Sequence, residues 1–132
     1  MKLRHLDDWN ARRRSAAHRY DTKIRELDLC PPERHREEGH VYHLYVIEVP
    51  ERDALLSRFR DADIQAGIHY PVPIHLQPAY ADLKIPRGSF PHAEETATRI
   101  ISLPMFAEIT SDQIDRVADV LKVHLERIGV EA

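Results

Sequence analysis

The 132-residue chain is poor in the residue patterns that most directly signal chemistry. A single cysteine, Cys30, excludes an internal disulfide and a thiolate zinc site, and it fits a reducing cytoplasm. Four glycines, Gly39, Gly67, Gly88 and Gly129, lie too far apart to build a glycine-rich phosphate cradle. There is no Gly-x-Ser-x-Gly elbow for nucleophilic hydrolysis, and Cys30, beside Pro31 and Pro32, reads as a free thiol in a loop. No apolar run is long enough to cross a bilayer, and Lys2, Arg4, Asp7 and Asp8 stand where a secretion signal would be apolar. Charge of one sign is also lacking. Nineteen basic residues face 22 acidic ones, for a net charge of -3, without the basic footprint that releases counterions from nucleic acid. Arg12, Arg13 and Arg14 are consecutive, so they fan around a helix as a solvated surface. A soluble cytoplasmic protein with no membrane or nucleic-acid partner is expected.

With 42% hydrophobic residues the chain can bury one core, so residues 1–132 are read as a single domain. Leu3, Leu6, Trp9, Ala16, Ala17, Tyr20, Ile24 and Leu27 recur in steps mostly of three and four, which predicts an amphipathic helix over most of residues 2–28. No capping residue precedes it, so it reads as a helix entered part-way. Pro31 and Pro32 end it, and the polar run from Glu33 to His40 reads as a mobile loop. Val41 to Val49, rich in β-branched and aromatic residues, predicts a strand buried on both faces. A helix over about Arg52 to Ala62 and a short strand over Ile64 to Tyr70 follow. His92 to Arg99 reads as a short helix and Ile100 to Pro104 as a third strand. Thr110 stands three residues before Gln113, the capping-box spacing, and opens a helix that buries Ile114, Val117, Ala118, Leu121, Leu125 and Ile128 before Gly129 stops it. The expected class is α+β, with a small mixed or antiparallel sheet of about three strands packed with helices.

Nine histidines raise the question of a metal, but the close pairs His35/His40, His40/His43 and His69/His75 include no helical His-x-x-x-His arrangement. They read as scattered structural or solvated histidines ahead of a designed metal site, with adventitious nickel or zinc in the stretch from His35 to His43 the remaining alternative. The remaining candidate is the long connection from Pro71 to Pro91, stiffened by Pro73, Pro78 and Pro86, with one helical turn expected near Gln77 to Leu83. Connections of this length are uncommon unless they bind something. Around it, His69, His75, Tyr70, Tyr80 and Gln77 offer two imidazoles, two phenols and an amide, groups suited to sugar hydroxyls or phosphates. On the residues alone, binding and structural cover are both open.

Several linked blocks carry a resemblance. They are Leu3-Arg4-His5-Leu6-Asp7-Asp8-Trp9-Asn10 with Arg12-Arg13-Arg14, Val41-Tyr42-His43-Leu44-Tyr45-Val46, Gly67-Ile68-His69-Tyr70-Pro71 with His75-Leu76-Gln77-Pro78-Ala79-Tyr80, and Phe90-Pro91 with Ser102-Leu103-Pro104-Met105. In order and spacing they resemble the DegT/DnrJ/EryC1/StrS aminotransferases over nearly the whole chain, and the His-Tyr-Pro block looks most like members acting on nucleotide-linked keto-sugars. The resemblance implies the carboxy-terminal small domain of a fold-type I aminotransferase homodimer. In that family a large-domain lysine holds pyridoxal phosphate, which carries an amino group from glutamate to the keto-sugar. Lys2, Lys23, Lys84 and Lys122 match no cofactor-lysine segment, so no catalytic or cofactor-binding residue is carried over and the chain alone is expected to hold no cofactor and be inactive. His69, Tyr70 and His75 are implied at the mouth of the sugar-nucleotide pocket. The implied partners are a sugar nucleotide and either the large domain or further copies of the chain, brought together by an uncovered docking face. The alternative is a freestanding module that binds a sugar nucleotide, or complements a separate large domain, without chemistry of its own. Asp63 stands where relatives often have glycine, in a turn that aspartate can form in the left-handed conformation.

Overall fold

The computed structural model describes residues 2–33 and 39–129. The stretch 34–38, which includes His35 and most of the expected loop, lies outside the described residues. A 3₁₀ turn, Lys2–His5, leads into helix α1, Leu6–Glu26, whose N-cap His5 makes no side-chain capping bond. The apolar stripe has two fates. Ala16, Ala17, Tyr20, Ile24 and Leu27 are buried, whereas Leu6 is exposed and Leu3 is 83% exposed. The first turns of α1 therefore carry an apolar face that the rest of the described domain does not cover.

Strand β1 is Tyr45–Glu48, shorter than Val41 to Val49 because Tyr42 takes a left-handed φ of 47° and breaks the extended run. Burial alternates along it: Tyr45 and Ile47 are buried and Glu48 is exposed, so only one face packs on the core and the expectation of two buried faces fails. Helix α2, Arg52–Asp61, buries Leu55 and Phe59, and Asp63 closes the following turn at φ 62°, as anticipated for that position. Helix α3, Pro91–Arg99, runs directly into β2, Ile100–Leu103. The two strands pair antiparallel, Tyr45 opposite Leu103 and Ile47 opposite Ile101.

The sheet has two strands, not three. The expected strand Ile64 to Tyr70 is reduced to one bridge, in which Gly67 N–H donates to Ser102 O (3.1 Å) and Ser102 N–H to Gly67 O (2.7 Å). The next hydrogen-bonded pairs of such a ladder would fall at Pro104 and Ile100. Pro104 has no N–H to give. Ile100 N–H already donates to Thr96 O, and its carbonyl accepts from the Arg52 guanidinium at 2.7 Å. Both ends of the would-be ladder are thus closed.

Helix α4, Ser111–Arg127, starts as its sequence predicts: Gln113 N–H donates to Thr110 Oγ1 (3.2 Å), and Thr110 N–H donates to Gln113 Oε1 (2.9 Å). Removing the cap as Thr110→Ala should cost about 1 kcal/mol, read as a lowered urea midpoint with unchanged slope. A midpoint equal to that of the parent would show that the box contributes nothing. The α4 stripe of Ile114, Val117, Leu121 and Leu125 shares one buried cluster with Tyr20, Tyr45, Phe59 and Ile101. Within it Tyr45 donates to Asp21 Oδ1 (2.7 Å) and Tyr20 donates to Pro104 O (3.0 Å), and burial pushes the Tyr20 phenol far above its usual range. The arrangement is α+β, three helices and a small sheet around one core, with the 70–91 segment outside it.

Candidate substrate-binding groove

The segment between Tyr70 and Pro91 contributes no fully buried residue, so its shape is set by hydrogen bonds more than by packing. It forms a 3₁₀ turn, Ile74–Leu76, and a 3₁₀ stretch, Pro78–Leu83, kinked at Tyr80, where one turn near 77–83 was expected. The prolines deny longer helical or ladder bonding, leaving short bonds such as Leu76 N–H to Pro73 O (2.9 Å) and Tyr80 N–H to Gln77 O (2.9 Å). Folded back against α3, the segment encloses an open groove of about 610 Å³. Tyr70, Ile74, His75, Tyr80 and Phe90 line its walls, and Ala97 lies at the α3 side. Tyr70 is 70% exposed there, and the His69–Tyr70 peptide is cis.

The three residues singled out from sequence do not act as a set. Tyr70 and His75 share the groove. His69 does not line it: its Nδ1 lies 2.9 Å from Ser102 Oγ on β2, and its ring sits edge-on to Tyr70 with centroids 5.7 Å apart. Any side chain at Gly67 would meet the His69 ring, since a Cβ built there comes within 3.0 Å of its Cε1. His69 thus pins the base of the segment to the sheet. His75 is turned inward, its side chain 7% exposed, with Nε2 2.9 Å from Glu94 Oε1 and its ring edge-on to Phe90.

Sequence reasoning missed Glu94 and Arg52. The Glu94 carboxylate also accepts from Gly88 N–H at 2.7 and 3.0 Å and from Phe90 N–H at 3.4 Å. Partial desolvation raises its pKa, but the His75 bond and the two backbone N–H groups outweigh that and hold it below the usual carboxylate value. Arg52, 6% exposed, donates to the carbonyls of Ala97 and Ile100 and so fastens the C-terminal end of α3, the helix that bears Glu94 in its first turn. Neither role leaves a mark in the sequence: His75 and Glu94 are 19 residues apart and Arg52 and Ile100 are 48 apart. Among the described residues no cluster of three His, Cys, Asp or Glu could hold a metal ion, and no helix is long and apolar enough to cross a membrane.

The profile of the DegT/DnrJ/EryC1/StrS aminotransferase family matches residues 1–122. This chain belongs to that family. It is 45% identical over 123 residues to the erythromycin biosynthesis sensory transduction protein EryC1 of Saccharopolyspora erythraea, an alignment covering 92% of this chain and 34% of that protein. It is 36% identical over 129 residues to the dTDP-3-amino-3,4,6-trideoxy-alpha-D-glucose transaminase of Streptomyces venezuelae, covering 97% and 34% respectively. Among solved structures, S. venezuelae DesV in complex with a ketimine intermediate superposes with a TM-score of 0.88 at 37% identity, over 96% of this chain and 34% of that one. A DegT/DnrJ/EryC1/StrS aminotransferase from Brucella abortus does so at 0.83 and 29% identity, over 93% and 33%. The chain therefore spans about a third of the length of the relatives it matches.

Family membership brings pyridoxal phosphate into question, and the groove of this aminotransferase-family chain does not fit it. The cofactor requires a lysine amine and an acid at its ring nitrogen. No lysine lines the groove. Lys23 pairs with Glu26 and Asp115, Lys122 with Glu126, Lys2 sits in the first 3₁₀ turn, and Lys84, though between two lining residues, is exposed. The nearby acid, Glu94, is committed to His75 and two backbone N–H groups.

Proposed function

We propose that this chain forms the substrate-facing part of a nucleotide-sugar aminotransferase, its carboxy-terminal small domain, and that it does not catalyse alone. The reaction would pass an amino group from glutamate to a keto-sugar nucleotide, with the cofactor-bearing residues supplied by polypeptide outside this sequence. The observation that carries the reading is the groove with Tyr70 exposed in its wall and His75 beside it. Its lining is largely carbon, which suits a sugar with few hydroxyls, and the matched transaminases are named for dTDP-linked trideoxy and dideoxy amino sugars and a UDP-linked one. The uncovered apolar face at Leu3 and Leu6 offers the surface on which a large domain or a second copy would sit.

The test is a hybrid in which these 132 residues replace the matching third of the S. venezuelae transaminase. The hybrid is expected to transfer amino groups, and Tyr70→Ala within it to lower kcat/KM about tenfold, or about 1.4 kcal/mol of transition-state binding. Undiminished turnover in the Tyr70→Ala, His75→Ala double variant would sink the assignment. A second reading, a freestanding binding module, draws on the groove being walled by Tyr70, His75, Tyr80 and Phe90. Calorimetric titration of the isolated chain with dTDP-glucose separates the two, because only the module predicts saturable heat that Tyr70→Ala abolishes.

A further inference from the structure

We propose that Glu94 is a positioning residue for the groove: its single carboxylate holds both ends of the 74–90 segment, through His75 at one end and the Gly88 and Phe90 amides at the other. The inference rests on the groove being the substrate site, as argued above.

Geometry and burial together support it. No residue from Tyr70 to Pro91 is fully buried, so apolar packing does little to fix where this segment lies. Its 3₁₀ bonds are internal and set its local shape, not its placement against the domain. The ties to α3 run through Glu94, whose side chain is 10% exposed: Oε1 takes the His75 imidazole at 2.9 Å, and Gly88 N–H bridges both carboxylate oxygens at 2.7 and 3.0 Å. Gly88 reaches that carboxylate with φ at +89°, a conformation that a side chain would strain. The ionisable groups facing Glu94 are His75 from the first 3₁₀ turn and Arg87 from the loop, the latter at 3.8 Å and 79% exposed. His75, which lines the groove, loses its tie to α3 if these bonds are cut.

Titration gives a signature that simple packing would lack. The folded-state pKa of Glu94 lies below its ordinary value of about 4.3. Its bonds are therefore fully present above that value and are lost as pH falls through the lower folded value. Hydrogen exchange on the isolated chain reads this directly. Glu94→Gln, which keeps the size but only one carbonyl acceptor, should raise exchange at Gly88 and Phe90 about tenfold relative to Ile47 and Ile101 in the sheet. Protection at Gly88 in the parent should fall on acidification below about pH 4, while in Glu94→Gln it should stay flat. In the hybrid enzyme the same substitution should lower kcat/KM about tenfold, mainly through KM.

Unchanged Gly88 exchange in Glu94→Gln would overturn the proposal, and so would loosened Gly88 with undiminished kcat/KM. If Glu94→Gln unfolds the domain, so that the sheet amides exchange too, the pH profile of the parent decides: Gly88 protection that persists through the acid range overturns it. A hybrid inactive with Glu94 intact counts instead against the aminotransferase assignment, and the exchange experiment still decides whether Glu94 holds the segment.

Discussion

Replacing Phe59 by alanine is expected to destabilise the domain by about 3–5 kcal/mol. The ring is fully buried on the inner face of α2, in one cluster with Leu55 of the same helix, Ile47 of β1 and Leu121 and Leu125 of α4. Deleting it removes the transfer energy of an aromatic side chain and leaves a cavity whose walls belong to two helices and a strand, so collapse is incomplete. A domain of this size has about 5–15 kcal/mol to lose, so the variant should be partly unfolded near body temperature. Urea titration followed by circular dichroism measures it, and Phe59→Leu, which keeps most of the volume, should lose under half as much. A loss of less than about 1 kcal/mol for Phe59→Ala would mean that α2 is not docked as described.

The second large effect belongs to Arg52. Its guanidinium donates to Ile100 O at 2.7 Å and to Ala97 O at 3.3 Å, where α3 ends and its carbonyls carry the negative end of the helix dipole. Bonds from a charged donor contribute about 1.5–3 kcal/mol each, and truncation leaves both carbonyls without a partner in a largely dry position. Arg52→Ala is therefore expected to cost about 3 kcal/mol. The contact with Asp53 Oδ1 at 2.7 Å adds little, because Asp53 is 83% exposed. Arg52→Met should lose nearly as much despite keeping the bulk, and Arg52→Lys should recover only part, since an ammonium lacks the guanidinium fork. If Met restored the parent's midpoint, packing and not hydrogen bonding would be the role of Arg52. Because Arg52 holds the helix that carries Glu94, its loss should also loosen Gly88 in exchange experiments.

Much of the domain was legible because it is locally encoded. The Thr110–Gln113 box, the α4 stripe and the turn at Asp63 each involve residues within a few positions of one another, and each formed as the pattern predicts. The third strand was misread because Ile64 to Tyr70 has strand composition, while whether it can pair depends on Pro104 and on the bonds already made at Ile100. The same gap affected the site. The 67–80 segment stood out by its proline-stiffened polar groups, yet nothing in its order separates His69, which reaches the sheet, from Tyr70, which faces the groove.

The sequence by itself determined the α+β class, the helices α2, α3 and α4 and the family, since periodicity, caps and linked motifs are properties of neighbouring residues. Only the tertiary structure decided that α1 is fully buried only along its second half, that two strands make the sheet, and that His75 is held by Glu94 of α3 while Arg52 holds the C-terminal end of the same helix. Those outcomes depend on which hydrogen-bonding groups meet across long stretches of chain, and a buried donor or acceptor finds its partner only in three dimensions.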